Sequence, residues 1–158
     1  MELLKNEGQH QLKLGKSEKL RHRTLVEGLF AEGNVIYEYP LRLNWRILEA
    51  EELERSFRTG VPPRVGHLQM LITVPKKKLR HAVDRVLIRR RIREAYRLNR
   101  LSLLNALKSY RGHSIHLAFI YLDKGKADYK TIENKMCRLL KKMESKLSKE
   151  AGKKEDKG

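Results

Sequence analysis

Residues 86–107 constrain the chain most. Ile88, Ile92, Ala95, Tyr96, Leu103, Ala106 and Leu107 recur at helical spacing and fall within one apolar arc, so this segment reads as a helix docked on a core. Beside that arc lie Arg89, Arg90, Arg93, Arg97 and Arg100. The stretch 76–100, KKKLRHAVDRVLIRRRIREAYRLNR, holds 11 Lys/Arg against Asp84 and Glu94, a local net of +9 within a whole-chain charge of +17. Charge packed that tightly repels itself in a folded protein, and a polyanion is the partner that neutralises it.

A solvated helix face usually mixes signs to gain i,i+4 pairs. Here the only acid inside the helix is Glu94, nearly opposite the apolar arc, while arginines gather on one side. Arginine also forks onto phosphate oxygens and stacks on bases, which a lysine ammonium cannot do. A membrane surface accepts the charge too, but the neighbouring stripe carries core-type residues and no Trp or Phe belt. The helix therefore points to nucleic acid.

Whole-chain properties agree. At 158 residues, 35% of them charged, the chain suits one RNA- or DNA-binding domain with a modest core. No stretch approaches 18 apolar residues and the start lacks an apolar signal core, so neither secretion nor a membrane span is expected, and a cytoplasmic location is. Cys137 is the only cysteine. It fits a reducing compartment and reads as a core residue of the last helix.

The element order reads α-β-β-β-α-β-α. Residues 1–16 form a basic leader, 17–147 a single domain and 148–158 a polar tail. Ser17 is a candidate N-cap for a helix to Glu32 that buries Leu25, Leu29 and Phe30 and stops at Gly33. Residues 35–39 suit an edge strand. Leu41, Leu43, Trp45 and Ile47 alternate with Arg42, Asn44 and Arg46 on a half-buried strand. Glu49, Glu51, Glu52 and Glu54 open a loop over 49–66, read as an excursion on a hairpin. Residues 68–74 form the next strand, Asp84 is a candidate cap for the arginine helix, and the run IHLAFIYL at 115–122 is a central strand. Asp128 caps a last helix with Ile132, Met136, Leu139, Leu140, Met143 and Leu147 inward. An α+β two-layer sandwich with a mixed sheet is expected, with a parallel strand–helix–strand unit over 68–122.

Groups for independent catalysis are not evident. Asp84 and Glu94 are ten residues apart among arginines, and read as a cap and a salt-bridge partner. His113 and His116 have a spacing that can bind metal, but no cysteine or acid lies near them in sequence, so a polar role at a strand end is expected. No Gly-rich phosphate loop and no zinc pattern occur. No catalytic and no metal-binding residues are assigned. Phe30 and Trp45 suit one groove in which bases stack, with Lys76 and Lys77 following the backbone; ordinary core packing is the competing reading of both rings.

These residues resemble the protein subunit of bacterial ribonuclease P, whose signature has the form V-x-K-K … A-V-x-R-N-R-x-K-R-x-x-R-E-x-x-R. The corresponding residues are Val74-Pro75-Lys76-Lys77, Ala82-Val83-Asp84-Arg85, Arg89-Arg90, Arg93-Glu94 and Arg97. The resemblance extends to Leu29-Phe30-Ala31-Glu32-Gly33, to IHLAFIYL and to the amphipathic final helix, covering about residues 17–147. The departures are Arg89 in place of the motif lysine and Val86-Leu87 in place of the family's Asn-Arg, the latter removing one arginine contact and a possible hydrogen bond at the helix start.

The resemblance implies a small sandwich with a left-handed strand–helix–strand crossover, against the usual right-handed rule. It implies a monomer in a 1:1 ribonucleoprotein whose RNA subunit and magnesium ions hydrolyse the phosphodiester that frees the tRNA 5′ end. Magnesium is then held mainly by RNA, and the protein assists substrate binding. Arg85, Arg89, Arg90, Arg93 and Arg97 are its implied contacts to the RNA subunit. Phe30, Trp45, Lys76 and Lys77 are its implied contacts to the precursor tRNA leader, in the cleft between sheet and first helix. The alternative is a structural RNA-binding protein of the ribosomal type, which predicts binding without a gain in cleavage. A DNA-binding regulator fits less well, because its recognition helix follows another helix, not a strand. A nuclease acting alone needs a metal-binding acid cluster.

Overall fold

Alternation along one strand sorts the whole molecule into two sides. The structure, a computed structural model, describes residues 14–61 and 67–156. Its sheet has four strands, β1 (Asn34–Glu38), β2 (Leu41–Leu48), β3 (Leu68–Thr73) and β4 (Ser114–Tyr121), in the order β1-β2-β4-β3. The β1–β2 and β2–β4 pairs are antiparallel and β3–β4 is parallel. On β2, Leu41, Leu43 and Trp45 point to one face, where they join Ile115, Leu117, Phe119 and Tyr121 of β4. Leu48 points to the other face, with Ala118 and Ile120. Period-two geometry enforces this division.

The first face carries the larger core. It is covered by α3 (Ala82–Asn99), α4 (Leu101–Ala106) and α5 (Tyr129–Asp156). Ile88, Ile92, Ala95 and Tyr96 of α3 and Ile132, Met136, Leu139 and Met143 of α5 are essentially inaccessible. Burying each large aliphatic chain contributes about 1.5–3 kcal/mol, so the apolar arc holds the arginine helix at a fixed angle. The second face is covered by α1 (Arg23–Glu32) through Leu25 and Leu29. A short α2 (Ala50–Arg55) buries no residue.

The α+β sandwich with a mixed sheet is observed, with β3–α3–β4 as the connection between parallel neighbours. Asp128 caps α5, accepting from the Thr131 N–H at 2.9 Å, and Gly33 closes α1 with its N–H on the Leu29 carbonyl at 2.9 Å. Those hydrogen bonds from Thr131 hold the Asp128 carboxyl below its usual range.

Other expectations need correction. Ser17 lies inside a single 3₁₀ turn, Lys16–Glu18, and α1 begins at Arg23 after His22. Between them Lys19 bridges Met70 in parallel, and the Leu20 N–H donates to the Met70 carbonyl at 2.9 Å. Pairing with the β3 edge draws this backbone out of the helix. The strands flanking the 49–66 segment do not pair as a hairpin, because β4 lies between β2 and β3; residues 62–66 themselves lie outside the described residues. The α3 helix starts at Ala82 with His81 at its N-cap; Asp84 sits in the first turn and pairs with Lys126 at 3.4 Å. The helical run breaks at Arg100 instead of continuing unbroken to Leu107. The last helix runs on to Asp156, through the stretch read as a tail. Cys137 is only partly buried, with burial pushing its thiol pKa up. Residues 1–13 of the expected leader lie outside the described residues.

Candidate nucleic-acid interface

The outer face of α3 presents its arginines in three different states. Arg89, Arg90 and Arg93 are exposed. Arg90 and Arg93 make no hydrogen bond or ion pair among the described residues, and Arg89 makes only a long 3.4 Å contact to the Arg85 carbonyl. Arg85 is turned back, donating from Nη1 to the carbonyls of Leu79 and Arg80 at 2.9 and 2.8 Å. It fastens the basic loop to the helix start. Arg97 is engaged by Glu94 through two hydrogen bonds of 3.1 and 2.6 Å. That pairing lowers the Glu94 pKa and raises that of Arg97.

Arg91, not singled out from sequence, points the other way. Its Nη1 donates to the Ala127 carbonyl at 2.6 Å and pins α3 to the segment before α5. The free guanidinium groups therefore belong to Arg89, Arg90 and Arg93, which lie on one side of a helix held by four buried residues. Such a surface can fork onto phosphate oxygens without further ordering of the backbone.

Val86 and Leu87 lie on this same surface, 42% and 37% exposed, beside Val83 at 79%. The motif departure therefore places aliphatic groups among the arginines and repacks nothing in the core. Nothing in the structure explains the preference for these two residues.

A second polar surface lies on the α1 side of the sheet. In register across it run Tyr37, Arg42, Ile120 and Thr73, one residue from each strand. At about 4.8 Å per strand the row spans about 14 Å. Tyr37 is 59% exposed. Arg42 Nε and Asn44 Oδ1 are buried with no hydrogen-bond partner among the described residues. Buried polar groups left this way are ready to accept partners from a ligand or water. Arg46 closes the surface against α1, with Nη2 2.7 Å from Glu32 Oε2. A methyl group on Gly28 would meet Arg46 Nη1 at 2.3 Å, so glycine permits that close approach.

The residues assigned to a leader cleft are not all together. Phe30 is 41% exposed at the end of α1, and so is not part of its buried side. Trp45 is 2% exposed and belongs to the core on the opposite face of the sheet. It cannot share a groove with Phe30, because odd-numbered β2 positions face α3 and α5. Lys76 and Lys77 are exposed in the turn after β3, past the Thr73 end of the row. Sequence reasoning missed Tyr37, Arg42 and Asn44. The signal for Arg42 and Asn44 was the polar half of the β2 alternation.

His116 is fully buried, and its Nε2 lies 2.9 Å from Ser114 Oγ. Burial lowers its pKa to about 4, so the ring is neutral. His113 packs its ring edge-on against Tyr110, 5.6 Å between centroids. Among the described residues no group of three or more His, Cys, Asp or Glu side chains is placed to hold a metal ion, and no helix is long and apolar enough to cross a membrane.

Comparison with known proteins converges on one family. The family model for Ribonuclease P matches residues 14–144. The ribonuclease P protein component of Porphyromonas gingivalis strain W83 is 35% identical over 127 residues, covering 80% of this chain and 83% of that protein. Its counterpart from Chlorobaculum tepidum is 36% identical over 111 residues, covering 68% and 66%. Among solved structures, an RNase P protein of Staphylococcus aureus superposes with a TM-score of 0.53 at 19% identity, over 80% of this chain and 94% of that one. A second Staphylococcus aureus RNase P protein structure gives 0.53 at 20% identity, over 84% and 93%. With fold, motif and relatives in agreement, the chain belongs to the ribonuclease P protein family.

Proposed function

We propose that this protein binds the catalytic RNA subunit of ribonuclease P through Arg89, Arg90 and Arg93. In that assembly it assists hydrolytic removal of the 5′ leader from precursor tRNA. The observation that carries this reading is the set of exposed guanidinium groups on a rigid helix, at the positions of the family motif. Arg85 and Arg97 act one step back: Arg85 shapes the basic loop, and Arg97 is shared with Glu94. The leader lies across the α1-side row of the sheet, where Phe30 and Tyr37 offer rings for stacking. Arg42 there supplies a cation, and Lys76 and Lys77 extend the charge at the end of the row.

The phosphodiester chemistry belongs to the RNA subunit with its magnesium ions, as the family resemblance implies. The protein contributes positive charge, which offsets phosphate repulsion and lowers the magnesium that the assembly needs. In this reading the magnesium ions are held mainly by RNA.

Salt-titrated binding of a ribonuclease P RNA tests the interface. The triple variant Arg89→Gln, Arg90→Gln, Arg93→Gln should bind with a log–log salt slope reduced by about three phosphate contacts. A slope equal to that of the unsubstituted protein would remove this face from the RNA interface.

A further inference from the structure

The longest helix separates its charges in a way that the arginine-helix interface does not use. On α5, Lys135, Arg138, Lys141, Lys142, Lys146 and Lys149 fall within one arc at 100° per residue, next to the buried arc. The acids of α5 up to Glu150 lie elsewhere. Glu133 accepts from Tyr129 and Asn99, Glu144 accepts from Ser102, and Glu150 lies toward Tyr110. Over residues 129–150 the charges on one long side of the helix are therefore all basic.

That side faces the edge of β1. Lys142 Nζ donates to the Tyr37 carbonyl at 3.2 Å and lies 2.8 Å from Glu38 Oε1, and Lys135 reaches the same carboxylate at 3.8 Å. Glu38 thus anchors two lysines, and the hydrogen bond from Lys142 lowers its pKa. Lys141, Lys146 and Lys149 are exposed and have no ion pair among the described residues. With Lys142 they wall an open groove of about 510 Å³ along β1. Because α5 packs on β1 and β2 while α3 packs on β3, this groove and the arginine face lie at opposite edges of the sheet.

We propose that the lysine face of α5 with the β1 edge is a second RNA-docking surface, taking the phosphate backbone of a double-helical segment. The inference rests on the RNA-binding reading above and extends it to a separate site. Three features select a duplex over a single strand. The cations span about 21 Å along a straight helix, matching a backbone rather than one nucleotide. Lysines act as point charges that follow phosphates without reading bases. The lysine row of α5 carries no ring, and Tyr37, which lines the groove, gives its carbonyl to Lys142 while strand alternation turns its side chain to the α1 face beside Arg42, so the stacking platform that single strands use is not built there. Duplex RNA is recognised in this way, by shape and backbone charge.

The test uses the full chain and a blunt RNA duplex without single-stranded ends. Lys141→Gln, Lys146→Gln, Lys149→Gln should reduce the salt slope of duplex binding by about two to three, and the matching Lys→Arg triple should restore it. Both variants should keep the melting temperature, since these side chains are exposed. A duplex slope unchanged in the lysine triple, with RNA-subunit binding intact and sensitive to the arginine triple, would overturn this surface and leave the proposed function standing. Failure of the unsubstituted protein to bind any RNA would remove both. Loss of binding to anionic lipid vesicles with an unchanged duplex slope would make the face a membrane contact and end the proposal.

Discussion

Arg100 Nη1 lies 2.5 Å from Glu18 Oε1, and the Arg100 side chain is 2% exposed. Helical periodicity places Arg100 in line with Arg89, Arg93 and Arg97, yet the helix ends there and the guanidinium turns inward. Its Cζ sits 5.7 Å from the Tyr96 ring centroid, and Glu18 also accepts from the Gly15 N–H at 2.7 Å. One carboxylate thus ties the N-terminal segment to the end of α3.

Breaking that tie should cost stability and spare the RNA interface. Removing one partner of a buried ion pair costs about 3–5 kcal/mol, because the remaining charge loses its counter-charge. Glu18 is 24% exposed, which places Glu18→Gln at the lower end of that range. Urea unfolding should show the loss, while the salt slope of RNA binding stays unchanged. A lowered slope with unchanged stability would place Arg100 on RNA.

Phe30 and Trp45 should separate cleanly. Phe30→Ala removes an exposed ring, so stability should change by less than about 0.5 kcal/mol while affinity for a single-stranded leader falls by about 1–3 kcal/mol. Trp45→Ala empties a core position and should destabilise by about 3–5 kcal/mol. Leader binding measured against denaturation for both variants decides the matter; equal effects on leader affinity in folded protein would contradict the assignment of Trp45 to the core.

Restoring the family residues at the departure should strengthen RNA binding. Val86→Asn with Leu87→Arg exchanges two exposed aliphatic groups beside Arg90, so the fold should tolerate it within about 0.5 kcal/mol. The added guanidinium should steepen the RNA salt slope by about one contact. Unchanged slope and affinity would show that position 87 stands away from the RNA.

Buried His116 makes stability depend on pH. Burial holds its folded-state pKa at about 4, below the ordinary imidazole value of 6.5. The unfolded chain therefore binds the proton more readily between those values, and stability is lost as pH falls from 6.5 towards 4. By pH 5 the loss from this group should be about 2 kcal/mol, at 1.36 kcal/mol per pKa unit. Urea titrations at pH 7 and pH 5 check this, with His116→Gln expected to show a smaller pH dependence by that amount. The same dependence in both proteins would rule out His116 as its source.

Much of this fold was legible because its main elements have strong periods. The apolar arc of α3, the alternation on β2 and the continuous apolar run of β4 each point to one arrangement, and the sheet order follows once β4 is central. What escaped depended on contacts between distant residues. The Lys19–Met70 bridge overrode the cap signal at Ser17, and Glu18 drew Arg100 out of the basic arc. Whether a ring at Trp45 faces solvent or core is set by which side of the sheet α3 and α5 cover, and one strand cannot reveal that. Arginines looked alike in sequence; the Leu79 and Arg80 carbonyls and Glu94 distinguish Arg85 and Arg97 from Arg90 and Arg93.

The most direct test of the account is 5′-leader cleavage of a precursor tRNA by a bacterial ribonuclease P RNA at low magnesium, with and without this protein. The account predicts cleavage at the mature 5′ end only when both are present, and its loss when Arg89, Arg90 and Arg93 are replaced by glutamine. Tight binding of the RNA subunit with no gain in cleavage would contradict it and favour a structural RNA-binding role.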